Sequence, residues 1–254
     1  MPKVLEAVKN GRNEKGRVAK PETEVEDSDN GQAISKDVNA RIPAPKMMLL
    51  ETSIRGTGPF VQARFSEKAR NTMAGKMVAG STAKKGGPRA ARDFDEDFKQ
   101  SMHRGPNGEN GMPASAFRAA AISACRIVGF KMTQAKLGFF VEADFHDPRD
   151  GTPLVAINGT PESLTLPVRN ATGVADLRVR AIWHTWDARL RVRYDGDMFT
   201  DSDAINLLIR VGMQVGIGEG RPDSKKSAGM GWGTFELVGD AEVHAMDMKE
   251  MGLH

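Results

Sequence analysis

The chain of 254 residues has one cysteine, few aromatic residues and no long apolar run. Its lone Cys125 cannot form a disulfide within the chain, which fits a reducing compartment. Hydrophobic residues still make up 39% of the composition, enough for a core in a chain of this length. No stretch reaches the roughly 18 apolar residues of a membrane span, and the N-terminus lacks the apolar segment of a secretory signal. We therefore expect a cytoplasmic protein with no membrane partner.

Residues with catalytic or metal-binding chemistry are also sparse. The five histidines are scattered and have no metal-ligand spacing, and neither a G-x-S-x-G elbow nor a Cys-His signature occurs. The densest group is Asp144, His146, Asp147 and Asp150, whose HDPRDG sequence favours a surface turn over a metal site. We expect no enzyme activity, no metal and no cofactor, and a metal-dependent nuclease is the least favoured alternative.

Two neighbouring segments, Asp176 to His184 and Asp187 to Tyr194, alternate apolar and polar residues with the period of a half-buried strand. If they pair across the short Thr185-Trp186 connection, their arginines share one sheet face: Arg178, Arg180, Arg189, Arg191 and Arg193. Neither segment places a carboxylate within that face, so the guanidiniums repel each other unless water, salt or a polyanion covers them. The pattern predicts contact with a phosphate backbone, and a merely solvated sheet face is the alternative.

Composition divides the chain into an arm, a domain and a tail. Residues 1–45 are polar and of mixed charge, which predicts a flexible tail, or an arm that orders only on a neighbour. The domain spans 46–245, and a tail follows at 246–254. Within the domain, residues 66–112 are rich in glycine and basic residues, including Lys84, Lys85, Arg89 and Arg92. We expect a long mobile insertion there, with a disordered linker between two domains as the alternative.

Periodicity and turn signals predict two main helices and several strands. The helices are Pro113 to Val128 and a capped segment, Asp203 to Val211, which Thr200 and Ser202 precede and which ends near Gly212 or Gly216. The strands are Lys46 to Ile54 (with a helix as competitor), Lys136 to Asp144, Thr152 to Asn158, the two arginine strands, and Trp232 to Val238. Their order predicts an α+β fold with an elaborated β-α-β-β-α-β pattern, the ferredoxin-like arrangement of RNA-recognition modules.

Two further motifs bear on nucleic-acid binding. Residues Gly216 to Gly233 contain six glycines together with Arg221, Lys225 and Lys226, so backbone amides could approach phosphate closely. The spacing is not that of a nucleotide-triphosphate loop, and a flexible surface connection is equally open. In the Lys136 to Asp144 strand, Phe139 and Phe140 point to opposite faces, which makes at least one of them a core residue rather than a base-stacking platform.

Three features together resemble the RAMP superfamily, and more narrowly the backbone subunits of CRISPR effector complexes: GMPASAFRAAAISACR at the first helix, the basic insertion, and RPDSKKSAGMGWGTFEL near the end. The resemblance implies a modified RNA-recognition fold that polymerises along RNA. It places Ser115 and Arg118 near the nucleic-acid backbone, and Gly80 to Arg92 in a thumb-like projection. The helix opening Ala114 to Arg118 departs from the small-Ser-Ser-Lys-Gly pattern of that family.

The sequence thus favours a non-enzymatic protein of a prokaryotic or infected cell that binds single-stranded nucleic acid, RNA over DNA, with little sequence preference. We expect side-by-side self-association into a filament or multimer, with other subunits of a ribonucleoprotein complex as further partners. The alternative is a structural assembly protein, of a virion or filament, whose arginine face and arm contact protein subunits.

Overall fold

A computed structural model describes residues 43–65, 67–80, 92–169, 173, 175–224 and 229–247. Most of the predicted arm, the predicted contacts Lys84, Lys85, Arg89, Lys225 and Lys226, and nearly all of the tail lie outside these residues. The described part is a mixed α+β structure, as predicted. None of its helices has the length and apolar character needed to cross a membrane.

Eleven strands occur in the described part. They are β1 (Met47–Gly56), β2 (Phe60–Gln62), β3 (His103–Arg104), β4 (Asn110–Pro113), β5 (Phe139–Val141), β6 (Phe145–His146), β7 (Pro153–Ala156), β8 (Glu162–Arg169), β9 (Ala175–Trp183), β10 (Asp187–Asp195) and β11 (Phe235–Ala245). The α-helices are α1 (Glu67–Ala79), α2 (Phe94–Gln100), α3 (Ala114–Ala124), α4 (Met132–Gly138) and α5 (Asp201–Arg210), and a π-helical turn (Val211–Val215) continues α5.

The strands form three antiparallel sheets. The central sheet has the order β11-β1-β10-β5, the second β2-β9-β8 and the third β3-β4-β7-β6. Along the chain, the central strands and the two core helices follow the order β1-α3-β5-β10-α5-β11. The other strands and helices are inserted between these elements.

One face of the central sheet carries the core. Leu50 of β1 lies opposite Val192 of β10, and both are fully buried. Side chains at alternate positions of a strand point to the same side of the sheet, so the apolar residues of these strands share one face. Phe117 of α3 and Leu208 of α5 belong to the same buried cluster. The two helices therefore cover one face of the sheet and leave its other face to the polar positions of the strands.

The arginine strands are correctly predicted as strands but do not pair with each other. β9 lies between β2 and β8, whereas β10 lies between β1 and β5 in the central sheet. The connection between them is an aromatic corner: Trp183 and Trp186 are buried against Phe60, with ring centroids 5.0 and 5.5 Å away. The two buried indoles lie where the chain passes from the second sheet to the central sheet. The five arginines therefore do not share one sheet face, contrary to the prediction from the sequence.

The predicted insertion contains more regular structure than its composition suggests. The acidic stretch DFDEDF forms α2, whose N-terminus is capped by Asp93 accepting hydrogen bonds from the amides of Asp95 and Glu96. Downstream, β3 and β4 join the third sheet. Residues 92–112 are thus an ordered part of the domain, and the expectation of a structureless excursion is wrong there; the basic centre, 81–91, lies outside the described residues.

Two predicted boundaries also shift. The first core helix ends at Ala124 rather than near Val128. Lys136 to Gly138, predicted as strand, form the last turn of α4, and β5 contains only the next three residues. In the sequence, the end of α4 and the whole of β5 form one continuous run. The spacing of the apolar residues in this run does not distinguish a short helix from a strand.

Of the two residues predicted before this helix, Thr200 caps α5 and Ser202 lies within its first turn. The Thr200 hydroxyl accepts a hydrogen bond from the Asp203 amide, and the Asp203 carboxylate accepts one from the Thr200 amide, which completes a capping box. The helical run ends at Gly216, which has a φ of 69°, a conformation that glycine adopts without strain.

We predict that Thr200→Ala lowers the free energy of unfolding by about 1 kcal/mol, because the Asp203 amide loses its acceptor, the Thr200 hydroxyl. Urea denaturation measures the change. Ser202→Ala, at an exposed neighbouring position, is the matched control and is expected to stay within about 0.5 kcal/mol of the wild type. Equal effects of the two substitutions would show that the capping box does not stabilise α5.

Candidate nucleic-acid interface

A cleft of about 1180 Å³ runs along α3. Its first wall is a row of small α3 residues that includes Ala116, Ala119 and Ala120. Its second wall is the end of β2 and the residues after it, from Gln62 to Arg64, with His103 beside them. Its third wall is the beginning of the glycine-rich loop, Val215 to Glu219 and Arg221. Three segments far apart in sequence therefore enclose one surface.

The glycine-rich loop is fixed against β2 by backbone contacts. The Glu219 amide donates to the Val61 carbonyl at 2.9 Å, and the Gly233 amide donates to the Pro59 carbonyl at 2.7 Å. A Cβ atom at Gly233 would lie 1.8 Å from the Ile217 carbonyl oxygen, so only glycine fits where the loop folds back on itself. The described part of this loop is thus closely packed and is not a loose connection.

Two amides of the loop have no hydrogen-bond acceptor among the described residues. Gly218 and Gly220 have φ values of 78° and 72°, and within the described residues neither backbone N–H donates a hydrogen bond. Both residues flank Glu219, whose own amide is used to hold the loop on β2. Gly218 lines the cleft, and an unpaired backbone amide in a glycine-rich turn suits an anion.

The cleft carries more positive than negative side chains. Its cations are Arg64, Arg126, Lys136, Arg180 and Arg221, and its carboxylates are Glu219 and Asp223. Arg180 forms an ion pair with Glu219, and Arg126 pairs with Asp223 at 2.6 Å. Lys136 and Arg221 form no ion pair with any described residue. Their charges add to the excess positive potential that a concave wall concentrates.

Beside the cleft, a buried ion cluster surrounds Asp147, whose side chain is fully enclosed. Its carboxylate accepts hydrogen bonds from the side chain and backbone amide of Arg149, contacts His103 Nδ1 at 3.1 Å, and lies 3.4 Å from Arg64 Nε. Burial opposes ionisation of Asp147, but the hydrogen bonds from Arg149 and His103 outweigh it and lower its pKa to about 2. An ionised carboxylate thus balances the enclosed Arg64 guanidinium.

The surroundings of His103 favour its neutral form. Burial lowers the pKa of the imidazole, and its hydrogen bond with Asp147 offsets that effect only in part. The nearby Arg64 guanidinium lowers the pKa further. With a neutral ring and an ionised carboxylate, Nδ1 carries the proton donated to Asp147.

The same cluster bears on the metal-dependent nuclease alternative. Donor atoms of His103, Asp147 and Asp150 lie within 4.8 Å of one another, a spacing that a metal ion could bridge. Arg64 and Arg70, however, both donate to Asp150 at 3.0 Å, and Arg64 and Arg149 flank Asp147. Three guanidiniums neutralise the two carboxylates and would repel a cation, so the donor set does not fit a metal. The predicted turn is present, but Asp147 lies in the interior rather than on the surface.

The arginines of β10 are balanced by neighbouring strands. Arg189 forms an ion pair with Glu51 of β1, and Arg191 lies 3.4 Å from Glu142, which follows β5. Arg193 instead lies over the ring of Phe140, 5.4 Å from its centroid. The expectation that no carboxylate neutralises these arginines is therefore wrong, because the acidic groups come from segments distant in sequence.

The remaining predicted contacts are dispersed. Arg178 and Arg92 share the carboxylate of Asp176, at 3.6 and 3.0 Å. Arg118 donates to the carbonyl of Phe139 at 2.9 Å and lies over the Phe140 ring at 4.6 Å, so it holds the end of β5. Ser115 is exposed at the start of α3. Of the predicted residues within the described ranges, the cleft brings together only Arg180 and Arg221.

Sequence inspection missed the other cleft cations and His103. Arg64, Arg126 and Lys136 stand singly in their segments, without the clustering or strand period that marked β9 and β10. Phe139, by contrast, is buried and Phe140 lies on the opposite side, as alternation predicts. The chain matches no protein-family model, and a search of curated proteins finds no match to it.

We predict that Asp147→Asn lowers the free energy of unfolding by about 3–5 kcal/mol, because Arg64 then stays buried without its counter-charge. Urea denaturation followed by tryptophan fluorescence measures the loss. Asp240→Asn, at an exposed position of β11, is the control and should change stability by less than about 0.5 kcal/mol. A small effect at Asp147 would contradict a dependence of the buried cluster on this carboxylate.

The lowered pKa of His103 predicts a pH dependence of stability. Above about pH 6.5, the ordinary pKa of histidine, the imidazole is neutral in the folded and the unfolded chain. Below that pH the unfolded chain binds the proton first, so the free energy of unfolding decreases until the pH reaches the folded-state pKa. Unfolding at pH 7.5 and 5.5 should therefore show a smaller decrease for His103→Gln than for the wild type. Equal decreases would contradict the assignment.

Proposed function

We propose that this protein binds single-stranded nucleic acid, RNA in preference to DNA, along the cleft beside α3. The observation that carries the proposal is the combination, on one concave surface, of Lys136 and Arg221, which form no ion pair with a described residue, with the amide of Gly218, which has no acceptor among the described residues. Phosphate groups suit both features, since guanidinium and amide donors bind their oxygens. We assign no chemical step to the cleft.

The shape of the cleft favours a polymer over a mononucleotide. Its volume exceeds the range of about 300–1,000 Å³ that is typical of small-molecule pockets. The glycine-rich wall follows the π-helical turn rather than opening a helix, so it lacks the phosphate cradle of nucleotide-triphosphate loops. An extended strand that passes between α3 and this wall is the ligand that the surface fits.

The residues that line the cleft also favour contact with the backbone over recognition of bases. No phenylalanine, tyrosine or tryptophan of the described chain lines it, so it offers none of the aromatic faces on which bases stack in RNA-recognition modules. Binding through phosphate contacts carries little sequence information. We accordingly expect similar affinity for strands of different sequence.

The central sheet supports the nucleic-acid proposal by its order of elements. The order β1-α3-β5-β10-α5-β11 is similar to the β-α-β-β-α-β order of ferredoxin-like and RNA-recognition folds, and this similarity supports the proposal. The likeness to the RAMP superfamily, noted from the sequence, favours RNA over DNA. Fold analogy raises the expectation of nucleic-acid binding, and the cleft supplies the surface for it.

A structural assembly protein is the second candidate function. It is favoured by apolar side chains that the described part leaves exposed near α5, among them Ile209 and Met213. Exposed apolar surface marks contact with other proteins. A hydrophobic assembly resists salt, whereas phosphate contacts weaken steeply as ionic strength rises.

The proposed function predicts that Lys136→Gln combined with Arg221→Gln weakens binding of a labelled single-stranded RNA in fluorescence anisotropy. The slope of log affinity against log salt should decrease by about 0.7 for each phosphate group that the variant no longer neutralises. The matched control is Arg189→Gln combined with Arg191→Gln, which removes the same charge from the outer face of the central sheet and should bind normally. Weakened binding in the control alone, or no binding by the wild type, would overturn the proposal.

A further inference from the structure

His103 lines the cleft beside α3 and has one ring nitrogen that no described residue engages. Because Asp147 is ionised, Nδ1 of the imidazole carries the proton and donates to that carboxylate at 3.1 Å. The side chain is 14% exposed. Its Nε2 has no hydrogen-bond partner among the described residues and is not enclosed. The imidazole is therefore anchored at Nδ1 and open to solvent at Nε2.

The backbone of His103 is fixed as firmly as its ring. Its amide donates to Gln62 Oε1 at 2.9 Å, and the side-chain nitrogen of this buried glutamine donates in turn to the Gly111 carbonyl at 2.8 Å. His103 also pairs with Gly111 across β3 and β4. Since both ends of the residue are held, little conformational freedom is lost when a ligand binds at Nε2.

The protonation state of His103 makes Nε2 a hydrogen-bond acceptor. A neutral imidazole that carries its proton on Nδ1 has a lone pair on Nε2. Burial and the nearby Arg64 guanidinium lower the pKa of the ring and favour this neutral form. Phosphate groups are themselves acceptors near neutral pH and have no proton to give to Nε2. The ribose 2′-hydroxyl has one, and DNA lacks this group.

The carboxylates of the cleft suit a ribose less well than His103 does. Glu219 is paired with Arg180, and Asp223 is paired with Arg126. Each carboxylate also carries a negative charge that repels the phosphates on either side of a sugar. The imidazole accepts a hydrogen bond without adding negative charge to the cleft.

We propose that Nε2 of His103 accepts a hydrogen bond from a ribose 2′-hydroxyl and thereby selects RNA over DNA. This inference rests on the proposed function, because it requires a strand in the cleft, and it adds the group that distinguishes the two sugars. Contacts of Lys136, Arg221 and the Gly218 amide with phosphate are the same for RNA and DNA. His103 thus determines specificity and supplies only a small part of the affinity.

Replacement of the 2′-hydroxyl by fluorine tests the hydrogen bond. A 2′-fluoro strand keeps the phosphates and the sugar pucker of RNA but has no 2′ proton to donate. In fluorescence anisotropy at about pH 7.5, where an ordinary histidine is neutral, the wild type should bind RNA about threefold to tenfold more tightly than the 2′-fluoro strand of the same sequence.

His103→Asn should bind the two strands with equal affinity. Its side-chain nitrogen can replace Nδ1 as the donor to Asp147, but it has no acceptor at the position of Nε2. The matched control is His146→Asn, at an exposed position of β6 that is not part of the cleft lining; it should keep the preference of the wild type. Urea denaturation verifies that both variants are folded.

The comparison of the two strands on the wild type needs no variant. Equal affinity of the wild type for both strands, or a preference that folded His103→Asn retains, would overturn the inference and leave the nucleic-acid proposal in place. Loss of the preference in His146→Asn as well would overturn the assignment to His103. Binding of neither strand by the wild type would overturn both proposals.

Discussion

The buried carboxylate of Asp147 is the interaction on which the arrangement around the cleft depends. It lies after β6, and its partners are Arg64 from the segment after β2, His103 of β3 and Arg149 of its own turn. One charge thus joins the second sheet to the third. Because Arg64 is as enclosed as Asp147, neither charge tolerates loss of the other, and the two sheets keep a fixed position at the cleft wall.

The short strand β2 connects the buried ion cluster around Asp147 to the other walls of the cleft. Phe60 packs on the indoles that carry the chain from β9 to β10, while the carbonyls of Pro59 and Val61 accept hydrogen bonds from the glycine-rich loop. The loop is thereby held against β2, and the amide of Gly218, which lines the cleft, has no acceptor among the described residues. Rigid backbone donors cost little to organise when a ligand binds, which suits recognition of phosphate without reading of bases.

Features of the fold that depend on residues close together in the chain could be predicted from the sequence, whereas features that depend on contacts between distant segments could not. Local signals located β1, β9, β10, α3 and α5, because period and capping act within a few residues. Strand partners are set by contacts between distant segments, so the separation of β9 from β10 was missed. The pairing of Arg189 with Glu51, and of Arg191 with Glu142, was missed for the same reason. Arg180 and Arg221 were predicted as nucleic-acid contacts from a basic strand and a glycine-rich loop, but nothing in their spacing showed that they share a cleft.

Nucleic acid is expected between α3 and the glycine-rich loop rather than on the outer face of the central sheet. Photo-crosslinking of a 4-thiouridine oligonucleotide, followed by peptide mapping, tests this placement most directly. We predict crosslinks in the peptides that contain residues 113–126 and 215–224. Crosslinks confined to the peptide that contains β10, or none above the level of a denatured control, would contradict it.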